Sequence, residues 1–261
     1  MLRVTHLSVG SCRVRAFAAG LPDRGRVDLP ALVTLIDLDS LTILFDCGYG
    51  PAFFDATRRF PARAYRLATP VTLRAEERLA AQLPRRPDLI LLSHMHGDHV
   101  AGLMDLPRDI PVRASGAAIA HLRGLTSAVG ATLAACPLPM RDAVLARDPQ
   151  PLEEAPALAT GLPGFPDGRD ILGTGEVIAI PLPGHGVGQT GLWLPAARTF
   201  LIADAAYSRS ALRDGRLPPR PVLSRLGDAR AYRDTFARLQ ALMRARPEIT
   251  LVPSHCREVL R

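Results

Sequence analysis

Three of the chain's seven histidines and an aspartate fall within six positions, His94-Met95-His96-Gly97-Asp98-His99. Imidazole nitrogen and carboxylate oxygen are the ligands taken by zinc and related divalent ions. In an extended segment His94 and His96 point to the same side, so two imidazoles converge on one point. A turn at Gly97 lets Asp98 and His99 face a second point close by. The chemistry on offer is a metal site, with ligands enough to begin two coordination shells.

Such a cluster must be held by something rigid. Leu89-Ile90-Leu91-Leu92, just before it, is an apolar run of the kind that makes a buried strand. Strands are also expected over residues 2–9, 33–38 and 41–45, the last ending in Asp46-Cys47-Gly48-Tyr49-Gly50. Asp46 serves there as a turn former or as a carboxylate that orients a metal-bound imidazole. Residues 72–83 carry helix formers, with Glu76 and Glu77 early and Pro84 beyond, which predicts a helix. Short elements follow, a strand around Val112 and a helix over 116–125 that carries His121 without any partner spacing.

Downstream, a strand over 176–180 runs into Pro183-Gly184-His185-Gly186, and a strand over 199–203 ends at Asp204, with Tyr207 three residues beyond. Tyr232, Phe236, Leu239 and Met243 recur at helical spacing, giving an amphipathic helix stopped by Pro247. A last strand over 250–252 delivers Ser254-His255-Cys256. Asp46, the 94–99 cluster, His185, Asp204 and His255 therefore each follow a strand. Strand ends that face one edge bring such residues into one cleft.

Two stretches lack this regularity. Residues 49–65 hold five of the chain's twelve Phe and Tyr residues, interrupted by Arg58, Arg59 and Arg63. They are expected to form a projecting arm that pairs two copies as a homodimer or walls an apolar substrate pocket. Residues 137–175 are rich in Pro, Gly and Asp without sustained periodicity, and are expected to form a lid or rim over the site.

With 261 residues, 48% of them apolar, the chain is long enough for a substantial core. Its formal charge is +7, yet no basic run exceeds Arg-Arg, which argues against a nucleic-acid partner. All 32 basic residues are arginines, so a lysine nucleophile or Schiff base is excluded. Cys12, Cys47, Cys136 and Cys256 form no Cys-x-x-Cys pair, which fits a reduced, cytoplasmic protein without a zinc knuckle or a disulfide framework. No signal-peptide core and no membrane span are expected.

Taken together, Asp46-x-Gly48, the His-x-His-x-Asp-His of residues 94–99, Pro183-Gly184-His185, Asp204 and the late His255 resemble the metallo-β-lactamase-fold hydrolases over nearly the whole chain. The resemblance implies an α/β fold, a four-layer αββα sandwich, as a single domain over 1–261 with two pseudo-repeated halves of roughly 1–130 and 131–261. It also implies two divalent metal ions, zinc by preference with iron or manganese accepted. His94, His96 and His185 would bind the first ion, Asp98, His99 and His255 the second, and Asp204 would bridge them. Two-zinc β-lactamases use a cysteine in the second half of the ligand set, and many use a lysine for the drug's carboxylate. The Ala-Asp-Ala context of Asp204 and the absence of lysine argue against antibiotic hydrolysis.

The Asp204-x-x-Tyr207 spacing resembles the N-acyl homoserine lactonase branch, whose tyrosine contacts the lactone; Gly97 stands where some of that group carry a bulkier residue. The implied activity is quorum quenching, the opening of a small-molecule lactone or ester by hydroxide made from water at the two metals. Asp98 and Asp204 would handle the proton and Tyr207 would stabilise the alkoxide. The same constellation serves phosphodiesterases, nucleases and thioesterases of the glyoxalase II kind. A non-catalytic sensor on the same fold is a further alternative.

Overall fold

The structure, a computed structural model, describes residues 2–260. The first sheet contains β1 (Arg3–Arg15), β2 (Arg26–Asp37), β3 (Thr42–Phe45), β4 (Val71–Thr72), β5 (Leu89–Leu91), β6 (Val112–Ala114) and β7 (Gln150–Pro151). Their spatial order is β4-β1-β2-β3-β5-β6-β7. The second sheet contains β8 (Ala157–Leu162), β9 (Phe165–Asp170), β10 (Ile178–Pro181), β11 (Thr190–Leu194), β12 (Thr199–Ala203) and β13 (Thr250–Pro253), in the order β13-β12-β11-β10-β9-β8.

Side-chain alternation builds the layers, because successive residues of a strand face opposite sides of its sheet. Ile43, Phe45 and Leu91 of the first sheet meet Leu192, Leu194, Leu201 and Val252 of the second in one buried cluster between the sheets. Their neighbours Leu44 and Ile90 turn outward, onto helices that contribute Phe53, Ile119, Leu122 and Val144. On the second sheet Trp193, Phe200 and Ile202 turn outward onto the helix Ala229–Ala245, which buries Tyr232, Phe236, Leu239 and Leu242. Helix, sheet, sheet and helix make the four-layer sandwich implied by the motifs. Each fully buried Leu or Phe stabilises it by about 1.5–3 kcal/mol. Asp228 caps the Ala229–Ala245 helix by accepting from the Arg230 and Ala231 N–H groups at 2.8 and 3.0 Å.

Three expectations change. Residues 72–83 are not one helix: a 3-10 turn over Ala75–Glu77 ends at Arg78, whose φ of −62° and ψ of 140° are extended, before a short helix over Leu79–Gln82. Glu77 folds back onto the Arg74 N–H at 2.9 Å, and Gln82 donates to the carbonyl oxygens of Glu77 and Ser8. These local and tertiary bonds outweigh helix propensity.

Residues 137–175 are not a lid. They hold the helix Leu138–Leu145, β7 and the hairpin β8–β9, and β9 pairs with β10. Leu162 and Phe165 are buried, and Arg238 stacks over the Phe165 ring at 4.9 Å. The Pro163-Gly164 turn and Gly161 had masked the strand pattern.

The 49–65 segment is not a simple arm. Phe53, in the helix Pro51–Ala56, is fully buried, with Tyr49 and Tyr65 edge-on to it at 5.0 and 5.3 Å. Phe60 is 67% exposed. All four cysteines are free and buried, and no helix among the described residues is long and apolar enough to cross a membrane.

Candidate metal centre

The parallel pairings β3–β5 and β12–β13 send the carboxyl ends of these strands to common edges. Asp46 follows β3, the histidine cluster follows β5, His185 follows β10, Asp204 follows β12 and His255 follows β13. Two of these exits use left-handed backbone, with φ of 63° at Asp46 and 46° at Ala203. Such conformations cost roughly 1–3 kcal/mol outside glycine and concentrate where a side chain must be aimed. A short helix over Gly97–Val100 then turns Asp98 and His99 inward. His185 rides on a glycine turn, and a side-chain carbon at Gly186 would lie 2.9 Å from the His94 ring.

The ligand-type atoms form two groups, each with its members within 4.8 Å of one another: His94, His96 and His185 in the first, Asp98, His99, Asp204 and His255 in the second. Asp204 faces both. Its Oδ2 lies 3.3 Å from His185 Nε2 and 3.1 Å from His255 Nε2, and its Oδ1 lies 3.5 Å from His99 Nε2. Asp98 Oδ2 is 3.3 Å from His255 Nε2.

The bonds behind these rings decide which nitrogen is free. Asp46 accepts from the Ser93 N–H at 2.7 Å, the Ser93 hydroxyl at 2.8 Å and His99 Nδ1 at 2.8 Å. A carboxylate can only accept, so His99 donates from Nδ1 and turns its Nε2 toward Asp98 and Asp204. The Ser93 hydroxyl spends its one proton on Asp46, so its lone pair accepts from His94 Nδ1 at 3.0 Å. That leaves His94 Nε2 bare. His255 Nδ1 donates to the Pro30 carbonyl at 2.7 Å, which turns its Nε2 onto Asp204 Oδ2, 3.1 Å away. His94 Nε2, His99 Nε2 and Asp204 Oδ1 are buried without any hydrogen-bond partner. Orphaned lone pairs at this depth are costly unless a cation meets them, so the donor set fits divalent metal.

Electrostatics agrees. Burial, with help from neighbouring imidazoles, pushes His94 well below the ordinary histidine value and takes His96 to about 3, while burial lowers His185 too. These three rings are neutral, as ligands must be. Burial alone would also lower His99 and His255, but the surrounding carboxylates outweigh it and hold both well above the ordinary value. Positive charge is therefore favoured where their Nε2 atoms meet Asp98 and Asp204.

A cleft of about 520 Å³ opens over both groups, lined by His96, Asp98, His185, Asp204 and His255. Tyr207 lines it too. Its ring stacks on His255 at 5.5 Å and its hydroxyl lies 3.4 Å from His185 Nδ1. Burial, then Asp204, raises this phenol well above its usual value, so it keeps its proton at neutral pH. Tyr49 and Tyr65 form part of the wall.

Every residue singled out as a ligand by sequence thus stands at this edge, and Asp46 stands behind His99. His6, on β1, bonds Thr34 at 2.9 Å, and His121 lines an adjoining hollow of about 220 Å³ that shares His96, Ala135, Arg225 and Leu226 with the cleft. Sequence reasoning missed Ser93, the Pro30 carbonyl and Gln189, whose side-chain oxygen accepts from the Asp204 N–H at 3.3 Å. Only Ser93, adjacent to the motif, left any local signal.

The family model of the Metallo-beta-lactamase superfamily matches residues 26–255. No curated protein matches the sequence. Among solved structures, an N-acyl homoserine lactone hydrolase with the product N-hexanoyl-L-homoserine bound at its catalytic metal centre superposes with a TM-score of 0.69 at 15% identity, over 98% of this chain and 93% of that one. A B. thuringiensis AiiA mutant with N-decanoyl-L-homoserine bound at the active site gives 0.69 at 14% identity, over 98% and 93%. AidC, a dizinc quorum-quenching lactonase, gives 0.59 at 17%, over 98% and 88%. At these identities the superpositions establish a shared fold. The match to the family model spans most of the sequence, and the chain belongs to the metallo-beta-lactamase superfamily.

Proposed function

We propose that this metal-dependent hydrolase opens a lactone or cleaves a carboxylic ester, with N-acyl homoserine lactones as the favoured substrate type, at a centre of two divalent ions, by preference zinc. The observation that carries this reading is the convergence of buried imidazoles on Asp204, which faces both ligand groups, with His94 Nε2, His99 Nε2 and Asp204 Oδ1 left without a partner. His94, His96 and His185 would hold one ion, Asp98, His99 and His255 the other, with Asp204 shared. Bound there, the ions would supply Lewis acidity and lower the pKa of water toward neutrality.

The chain's own groups do the rest. Tyr207 keeps its proton and stands at the cleft wall, placed to donate to the oxygen that gains charge as a carbonyl is attacked. Asp98 is the more open of the two carboxylates, 12% exposed against 3% for Asp204. It is the better placed to take a proton and return it to the leaving oxygen. Structural neighbours that hold acyl-homoserine products support the substrate class.

The test is a pH-indicator screen of the metal-loaded protein over lactones, esters, thioesters and phosphodiesters, coupled to elemental analysis. Lactone or ester turnover with two ions per chain is expected. Turnover confined to phosphodiesters or thioesters, or full activity after stripping the metal, would overturn the proposal.

A further inference from the structure

The mouth of the cleft carries charge that metal chemistry does not use. Besides Asp98 and Asp204 in the ligand groups, the charged residues lining it are Arg13, Arg15, Arg26 and Arg225. The hairpin β1–β2 treats them unequally. Arg13 lies opposite Asp28, and its guanidinium makes two bonds of 2.8 Å to that carboxylate. On the next rung of the same face, Arg15 lies directly opposite Arg26. Like charges paired across strands destabilise a sheet. Neither guanidinium has a hydrogen-bond or ion-pair partner among the described residues, and that of Arg225 has none either. A hairpin that neutralises one rung and leaves two positive charges facing each other on the next gives up stability where a ligand enters.

The same cleft is lined by Val14, Leu29, Val222 and Leu226, which are buried or half-buried, while the arginines are exposed. An apolar wall beside exposed guanidinium groups suits a methylene chain that ends in an anion. Guanidinium pairs with carboxylate through two parallel N–H bonds. A polynucleotide would instead need a track of cations along the surface, and the arginines here are confined to one mouth.

We propose that Arg15, Arg26 and Arg225 form a carboxylate-recognition site, and that the preferred substrate is an ester or lactone whose acyl chain ends in a free carboxylate. This rests on the hydrolase reading above and narrows it from neutral acyl chains to anionic ones.

The experiment compares mono-4-nitrophenyl esters of glutarate, adipate and suberate with the matched pentanoate, hexanoate and octanoate esters on the metal-loaded enzyme. At low ionic strength kcat/KM for at least one carboxylate ester exceeds that of its neutral match by about tenfold or more, mainly through KM, and added salt shrinks the ratio. In the triple variant Arg15→Gln, Arg26→Gln, Arg225→Gln the ratio falls toward one, whereas the triple Lys variant, which keeps the charge, retains part of it. A purely structural role for the arginines would move both ester classes together. A ratio near one in the wild type, a ratio unchanged in the Gln variant, or faster turnover of bis(4-nitrophenyl) phosphate than of any carboxylate ester overturns the proposal. If neither these esters nor any lactone of the screen is cleaved, the lactone-or-ester reading fails by itself. Calorimetric titration with free suberate then decides the anion site: weaker binding to the Gln variant at equal metal content supports it, and equal binding overturns it.

Discussion

Asp46 Oδ2 lies 2.8 Å from His99 Nδ1, on the opposite side of the ring from the nitrogen that faces Asp98 and Asp204. The same carboxylate takes both donors of Ser93, which in turn accepts from His94. One carboxylate therefore fixes the tautomer of a histidine in each ligand group. Replacing Asp46 with Asn keeps the shape but removes the charge and one acceptor oxygen. Metal affinity is expected to fall about 10–100-fold, with activity recovered in excess metal. Competitive titration against a chromogenic chelator measures it, and unchanged affinity would remove the role assigned to Asp46.

Tyr207 is set apart from the ligands by having a proton to give. Tyr207→Phe leaves every imidazole and carboxylate in place, so metal content stays at the wild-type level. Removing a donor to a developing oxyanion costs up to about 10²–10³ in kcat. A 3.4 Å bond to His185 in the resting enzyme argues for the lower end, about a hundredfold. Steady-state kinetics on the best ester or lactone from the screen, with metal analysis of the same sample, separates this from ligand loss.

Gly186 adopts a φ of 66°, and a methyl group there would meet the His94 ring at 2.9 Å. Gly186→Ala therefore combines a left-handed penalty of about 1 kcal/mol with pressure on a ligand histidine. Lower thermal stability together with a lower metal-to-protein ratio is expected. Wild-type occupancy in a well-folded variant would show that the His185 turn has room to spare.

Much of this site was legible because ligand chemistry restricts residue type and strand ends restrict position. His94, His96, Asp98, His99, His185, Asp204 and His255 are polar residues placed just after apolar runs, where a buried sheet would not otherwise tolerate them. What stayed hidden depends on contacts between distant segments. Pro30 contributes only a backbone carbonyl to His255, 225 residues away, and no side chain advertises it. β1 extends to Arg15 although Arg13 and Arg15 break its apolar pattern, because both line the cleft mouth rather than a core. The strands over 157–170 escaped notice because Gly161, Gly164 and Gly168 supply turns and close packing while depleting the hydrophobic signal.

Away from the site, Asp37 accepts from Arg85 at 2.6 Å, Arg3 at 3.3 Å and the Thr42 hydroxyl at 3.2 Å. Burial would raise its pKa, but these donors outweigh it and hold the carboxyl below its usual value. A depressed folded-state value means that the stabilisation is complete above the unfolded value of about 3.9 and is lost as pH falls through the folded one. Because Arg85 and Arg3 are 51% and 76% exposed, the effect is small, less than about 1 kcal/mol. Asp37→Asn should lower the melting temperature slightly at pH 7, and the difference from wild type should close in acid. A constant difference across the range would assign the loss to packing.

Metal removal should cost stability as well as activity. His94, His99 and Asp204 each bury a polar atom with no protein partner, and the carboxylates of Asp98 and Asp204 stand among imidazoles that a cation would otherwise join to them. A ligand held at a hundred times its Kd stabilises the folded state by about 2.7 kcal/mol. Stripping the protein with a chelator is therefore expected to lower the melting temperature by several degrees, and zinc added back should restore it. Asp204→Asn removes the one carboxylate that faces both groups, so this variant should hold less metal, melt lower and respond little to chelator. Calorimetry on wild type and variant, with metal content measured alongside, gives the comparison. A stripped wild type that melts at the holoenzyme temperature would mean that the two ligand groups are satisfied by each other, and the case for a resident metal would fall.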